Sequence, residues 1–519
     1  MLQKLPIGIQ TFSKIRNGEY IYVDKTKQIY NLINTGSIYF LSRPRRFGKS
    51  LLISTLEEIF KGNKKLFKNL YLEKTNYNWQ KYPIIRIDFS GFNKDSVTNL
   101  ENSLKKALSR IAEEYSLNIK ENSVLEFFKS LIIELSKINK VVILIDEYDS
   151  PLIHHLGKNN KLALEIREFL KSFYTVFKTE DQYLRFVFLT GVSKFSKVGV
   201  FSGLNQLQDI TMQTRFSDLT GWTQEELENN FNNYLKKISH SHNLKKQDLI
   251  EKIKHWYNGY RFSEADIKVY NPFSSLLFFS STSFKFHWFE TGTPTFLINL
   301  LKNNKNISLE EILSKKLTEE EFSSYEIDNL KPTSLLFQTG YLTIKECQIT
   351  DIGNLYRLDF PNFEVKNAFS KNILQSFSEL SGLTHSYLQE LIEFLKNNNF
   401  FDFFRILKIF FANIPYSIQL SNEKYYQTIF YLIFSLLGIQ IKTEVYTNNG
   451  RIDAVITLEK AVYIFEFKLQ GSKEEALKQI KEKKYYQQYQ NQNLPLYLIG
   501  VEFETEKRNI KDWAIEIKD

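Results

Sequence analysis

The segment that most constrains this chain is residues 38–50. Ile38-Tyr39-Phe40-Leu41 is a short apolar run that reads as a buried strand. Ser42-Arg43-Pro44-Arg45-Arg46-Phe47 follows as a basic loop, and Gly48-Lys49-Ser50 opens a helix. Gly48 lets the backbone approach an anion, and the amides at the start of the helix point at it. Lys49 then faces the β- and γ-phosphates of a nucleotide, and the Ser50 hydroxyl is placed to ligate magnesium. Arg45, Arg46 and Phe47 belong to the same binding loop. The expected ligands are ATP, or a related nucleoside triphosphate, and Mg2+. The usual spacing has a glycine five residues before Gly48, where this chain has Arg43. Read alone, the segment could also be a Lys-Ser helix start in a basic loop.

A second motif favours the nucleotide reading. Val141-Val142-Ile143-Leu144-Ile145 ends in Asp146-Glu147. A buried parallel strand would present those acids at its carboxyl edge, where ligands of α/β sheets bind. Asp146 is expected to hold magnesium through water, and Glu147 to orient and deprotonate the attacking water. A further strand, Leu184–Thr190, ends in a polar residue before Gly191. Thr190 or Ser193 is the candidate sensor of the γ-phosphate, with a plain strand end as the alternative. Arg45, Arg46 and Arg215 are candidates for phosphate contact or an arginine finger.

At 519 residues the chain is too long for one ordinary core. Changes in pattern divide it into residues 1–211, with strands alternating with helices as in a parallel sheet; 212–420, mainly helical with aromatic-rich turns; and 421–519, a smaller α/β unit. The expected strands of the first region are Ile38–Leu41, Ile84–Phe89, Val141–Ile145 and Leu184–Thr190. The last region reads as helix, three strands, helix and strand. The single cysteine, Cys347, excludes an internal disulfide framework and suits a reducing, cytoplasmic setting. The N-terminus has no secretory-signal pattern. The most apolar stretch, Ile429–Ile441, is shorter than the ~20 residues a membrane span needs and reads as a buried helix. Net charge is +9, yet residues 421–519 carry 14 Lys and Arg against 14 Asp and Glu, so the excess lies upstream. That excess fits either AT-rich coding bias or a polyanionic partner.

Near the C-terminus, Gly450-Arg451-Ile452-Asp453-Ala454-Val455-Ile456 and Tyr463-Ile464-Phe465-Glu466-Phe467-Lys468 read as neighbouring strands turning near Glu459-Lys460. Glu466 and Lys468, two apart, share one face, while Phe465 and Phe467 take the other. In a hairpin of that register Asp453 falls opposite Glu466–Lys468. Asp453 and Glu466, with the Phe467 carbonyl, would bind one or two Mg2+ ions, and Lys468 would position or activate water for phosphodiester hydrolysis. Gln479 and Tyr485, on the helix expected over 474–486, could reach the same place, and Glu423 or Glu444 could add a ligand. An exposed hairpin with an alternating charged face is the plainer alternative. An unpaired carboxylate between Ile452 and Ala454 would be costly there.

Taken together, these motifs resemble a bacterial family in which an AAA-ATPase-like domain precedes a PD-(D/E)XK nuclease-superfamily domain. The resemblance also draws on Tyr22-Val23-Asp24-Lys25-Thr26, Tyr148-Asp149, Thr190-Gly191-Val192-Ser193-Lys194-Phe195, Trp256-Tyr257-Asn258-Gly259-Tyr260 and Tyr270-Asn271-Pro272-Phe273-Ser274. It covers nearly the whole chain. It implies that Arg43 is the usual residue at its position and that Asp453, Glu466 and Lys468 are the nuclease signature. It also implies that the central aromatic motifs are packing rather than catalytic groups. The first functional hypothesis is a P-loop ATPase coupled to a Mg2+-dependent nuclease acting on DNA ahead of RNA, a coupling that would suit phage defence or mobile-element biology. The alternative is a nucleotide-switched binding module with a non-cleaving nuclease-like domain. A homo-oligomer is compatible with this class, because a neighbour's arginine often completes the site.

Overall fold

Runs of five to eight residues rich in Val, Ile, Leu and Phe become central strands here, because helices cover the sheet they form. The structure, a computed structural model, describes residues 2–195, 200–288, 309–327, 330–377, 384–412, 430, 433–434, 440–447, 450–492, 494–504 and 509–518. Backbone packing separates two units, Met1–Glu290 with Lys316–Asn362 and Thr291–Lys315 with Phe363–Asp519.

In the first unit, β1 (Ile38–Ser42), β2 (Ile84–Asp88), β3 (Val141–Asp146), β4 (Leu184–Gly191) and β5 (Gln208–Asp209) form a parallel sheet in the order β2-β3-β4-β1-β5. The first four are the strands expected from the sequence, each ending within a residue of its expected limits. Every residue of β1 and β3 is buried, so these strands read as continuous apolar runs and not as alternating ones. The helix Lys49–Phe60 packs Leu52, Ile53, Leu56 and Phe60 against Leu41, Val142, Leu144, Phe186 and Phe188. Helices Val97–Glu114, Val124–Ser136 and Asn160–Thr179 pack on one another, and the first two lie against β2 and β3. Because β4 lies between β1 and β3, its carboxyl end separates the phosphate-loop strand from the acid-ending strand. All three finish on the same edge.

The chain then forms a helical layer, Gln224–Ser241, Lys246–Tyr257 and Pro272–Ser281, around Phe231, Leu235, Ile253, Tyr257 and Phe278. The mainly helical reading of the middle region missed a small antiparallel sheet. It comprises β6 (Lys316–Leu317), β7 (Thr343–Thr350) and β8 (Gly353–Asp359), in the order β6-β8-β7. The middle and end of β7 are largely exposed and polar, so the alternation that marks a half-buried strand is absent.

The second unit holds a mixed sheet, β13-β12-β11-β10-β9, built from β9 (Gln440–Thr447), β10 (Gly450–Leu458), β11 (Ala461–Lys468), β12 (Leu496–Glu504) and β13 (Asn509–Lys518). β11 and β12 are parallel, joined by a crossover containing the helix Lys473–Glu482; the other pairs are antiparallel. That helix starts in a capping box between Ser472 and Glu475. β13 extends the sheet beyond the elements expected from sequence; it is a half-exposed edge strand in which Trp513, Ile515 and Ile517 alternate with polar and small residues. Of the apolar stretch Ile429–Ile441, only Phe430, Ile433, Phe434, Gln440 and Ile441 fall among the described residues. No described helix is long and apolar enough to cross a membrane.

Candidate functional site

Two separate sites follow from the sequence, one in each unit. At the first, Gly48 takes the left-handed conformation (φ 86°) as N-cap of Lys49–Phe60, with no side-chain cap. The first-turn amides of that helix therefore have no capping side chain to accept from them, as an anion site needs. A Cβ at Gly48 would meet nothing within 4 Å, so the glycine is required by its torsion and not by crowding. Lys49 is buried and its Nζ donates to the carbonyls of Arg43 and Pro44, both at 2.9 Å, so the loop wraps its own lysine. Burial pushes the Lys49 ammonium pKa down, and the carboxylates of Asp146, Asp149 and Glu147 oppose the shift. Ser50 is half-buried in the same first turn.

The loop is supported from behind by residues of the middle region. Arg43 is buried; its guanidinium donates to the carbonyls of Ser42 (2.9 Å), Thr211 (2.7 Å) and Phe216 (3.2 Å) and lies 4.2 Å from the Phe262 ring. Burial lowers its pKa to about 9, against the pull of Asp209 and Asp218. Phe47 turns inward and meets Tyr260 and Phe262 edge-on at 4.8 and 5.3 Å, so its side chain packs beneath the loop. Arg45 and Arg46 are exposed, with Arg46 4.3 Å over the Phe273 ring. A Cβ on Gly340 would come within 2.7 Å of the Pro44 Cβ, so the end of helix Pro332–Thr339 abuts the loop directly. Both the phosphate loop and these aromatic residues were visible in the sequence; that they pack against one another was not.

At the carboxyl edge of β3, Asp146 is buried, and its Oδ1 accepts from the Thr190 hydroxyl (2.6 Å) and the Glu147 amide (3.1 Å). Thr190 is fully buried and therefore serves the Asp146 carboxylate from the end of β4. Glu147 is half-buried in a left-handed backbone conformation (φ 51°), and burial pushes its carboxyl pKa up while Lys49 pulls it down. Asp149 accepts from the amides of Val192 (3.0 Å) and Ser193 (2.6 Å), with burial raising its pKa to about 6. Ser193 also accepts from the Tyr325 hydroxyl at 2.7 Å. Arg215 is exposed, its guanidinium 5.4 Å from the Phe216 ring. Sequence reasoning passed over Asp88, paired in register with Asp146, and Lys94, whose ammonium feels Glu147, Asp88 and Asp149. Both were legible only as a strand end and a loop lysine.

In the second unit, the register that pairs Ala454 with Phe465 brings Asp453 level with Glu466. Asp453, Val455, Ile464, Glu466 and Lys468 share the face beneath Lys473–Glu482, where Val455, Ile464, Ile480 and Tyr485 form one core. Asp453 and Glu466 are 4% and 1% exposed, which rules out the exposed charged hairpin. Asp453 Oδ2 accepts from the Phe467 amide at 2.7 Å. Lys468 Nζ lies 3.4 Å from Glu466 Oε1 and donates to Gln479 Oε1 at 2.6 Å, while Gln479 Nε2 donates to Glu466. Tyr485 lies 3.5 Å from the same amide nitrogen. Two buried carboxylates are a hard-oxygen donor set of the kind Mg2+ takes. Among the described residues no group of three His, Cys, Asp or Glu gathers as a metal cluster. Glu423 and the side chain of Glu444 lie outside the described residues.

Comparison with known proteins agrees with this fold. Residues 6–201 match the family model described as a predicted AAA-ATPase, and residues 421–513 match the PD-(D/E)XK nuclease superfamily. The chain is 37% identical over 528 residues to "Uncharacterized protein in vnfD 5'region" of Azotobacter chroococcum mcd 1, covering 99% of both chains. A parallel-sheet ATPase-like domain, a middle region rich in helices and a C-terminal mixed sheet thus occur in one chain. It belongs to the bacterial family that joins an AAA-ATPase-like domain to a C-terminal PD-(D/E)XK nuclease-superfamily domain.

Proposed function

We propose that the chain binds and hydrolyses ATP at residues 45–50, 146–147 and 190, and that this activity controls a Mg2+-dependent nuclease at Asp453, Glu466 and Lys468. One observation carries the reading: Asp146 in the first unit and Asp453 and Glu466 in the second are buried, each site with a lysine close by. Carboxylates taken out of water need partners, and here each site keeps them without an exposed ion pair. In the front domain, Lys49 and the uncapped helix start bind the phosphates, and Arg45 and Arg46 flank the mouth of the loop. Ser50 and Asp146 would hold Mg2+, with Thr190 fixing the orientation of Asp146. Glu147 accepts the proton of the attacking water. In the tail, Asp453 and Glu466 would hold Mg2+, and Lys468, oriented by Gln479, positions the water that attacks the phosphodiester. Bound Mg2+ supplies Lewis-acid stabilisation of the developing phosphate charge at either site.

DNA is the preferred substrate in this reading, and defence against invading DNA is the role it suits. The basic excess of residues 1–420 supports a polyanionic partner. The experiment is to compare wild type with Lys49→Ala for nucleotide affinity and for DNA cleavage in Mg2+ and ATP. The expected result is a loss of nucleotide affinity on the order of 100-fold, together with loss of cleavage. Unchanged cleavage by a variant that no longer binds nucleotide would refute the coupling.

A further inference from the structure

Glu147 sits in a left-handed backbone conformation (φ 51°) that a non-glycine residue keeps only when its surroundings enforce it. The turn it opens is closed by the Ser150 amide donating to the Glu147 carbonyl at 2.9 Å. From β4 and the segment after it, the Tyr148 amide bonds to the Thr190 carbonyl (3.0 Å), and the Val192 and Ser193 amides bond to Asp149. The loop after β2 provides another hold. Lys94 Nζ donates to Ser150 Oγ at 2.5 Å, and the Lys94 carbonyl accepts from His155 Nε2 at 2.7 Å. Both ends of Lys94 are thus fastened to the stretch that follows Glu147. Lys94 is half-buried, and the charges acting on its ammonium are Glu147, Asp88 and Asp149, with Arg45 opposing.

We infer that Lys94 is a positioning residue for ATP hydrolysis: through the Ser150 hydroxyl it fixes the turn that presents Glu147 at the carboxyl edge of the sheet. The inference rests on the hydrolytic reading of this site. Lys94 bonds to neither the phosphate loop nor the helix start, so its effect falls on turnover and not on nucleotide binding. A small misplacement of a catalytic group can cost ~100-fold in rate.

The test measures kcat, KM and nucleotide affinity of the full chain for wild type, Lys94→Met, Lys94→Arg, Ser150→Ala and the Lys94→Met/Ser150→Ala double variant. Lys94→Met should lower kcat at least ~10-fold while affinity stays within about twofold of wild type. Ser150→Ala should show the same split, the double variant should be no worse than the poorer single one, and Lys94→Arg should recover part of the rate. Unchanged kcat in Lys94→Met, or single effects that multiply in the double variant, would overturn the inference. Should Lys94→Met lose nucleotide binding through misfolding, Ser150→Ala decides: the kcat-only loss supports the inference and unchanged turnover overturns it. Wild type that binds nucleotide but never turns it over overturns the hydrolytic reading, and this inference with it.

Discussion

Arg43 shows how far a single position can be read. The sequence presents it as a departure from a glycine, and only the fold shows what the side chain does: it grips three carbonyls from two chain segments beneath the loop. Arg43→Gly restores the ordinary motif residue, yet it leaves buried acceptors and a void. It should destabilise the front domain by about 3 kcal/mol or more and weaken nucleotide binding. Calorimetry and nucleotide titration check this; tighter binding would show that the glycine spacing governs after all. Asp149 offers a pH signature. Its pKa rises from 3.8 to about 6, with burial as the leading cause, so the protonated form is the one the fold favours. The stability it contributes is full below about pH 3.8 and is lost as pH rises through about 6. Asp149→Asn lacks this dependence, so its stability relative to wild type should rise by about 2 kcal/mol between pH 4 and 6.5 and level off above about pH 7. Thermal unfolding across that range measures it, and a pH-independent difference would contradict the assignment. Neither Asp149's amide partners nor Lys94's hold on Ser150 was legible in the sequence, because both depend on contacts between segments more than forty residues apart.

The elements were legible where both faces are buried. β1, β3 and β4 read directly as apolar runs, and the hairpin β10–β11 gave the Asp453–Glu466 register from its turn alone. Elements with an exposed face were harder: β7 is largely exposed beyond its first two residues, and the alternation of Trp513, Ile515 and Ile517 in β13 went unread. Between these extremes lies the packing of Lys473–Glu482, which carries Gln479 to the Glu466–Lys468 pair. Gly500 on β12 pairs with Glu466 across the sheet, and a Cβ there would come within 2.3 Å of the Lys473 carbonyl. The helix can lie this low only over a glycine. Gly500→Ala should lift the start of the helix, shift Gln479 and reduce cleavage at least ~10-fold, with ATP turnover unchanged. Parallel cleavage and ATPase assays decide it; full cleavage would show that the helix does not position the site.

At the scale of the whole molecule, charge and chemistry are divided along the chain. Residues 421–519 carry balanced charge, and the +9 excess lies upstream of them. If that excess meets nucleic acid, affinity for duplex DNA should fall steeply with salt, with a log–log slope of about −0.9 for each phosphate contacted. A flat salt titration would leave coding bias as the origin of the charge. The signature residues of both sites could be named from sequence because each lies within a short contiguous motif. What fixes them in place comes from elsewhere in the chain and could not be read. The central claim is that the tail cuts nucleic acid under the control of the front domain. Its most direct test is Mg2+-dependent cleavage of DNA in the presence of ATP by wild type and by Asp453→Ala, with ATP turnover followed in the same samples. The account predicts cleavage by wild type, none by Asp453→Ala, and the same ATP turnover in both; a wild-type protein that cuts neither DNA nor RNA under these conditions would contradict it.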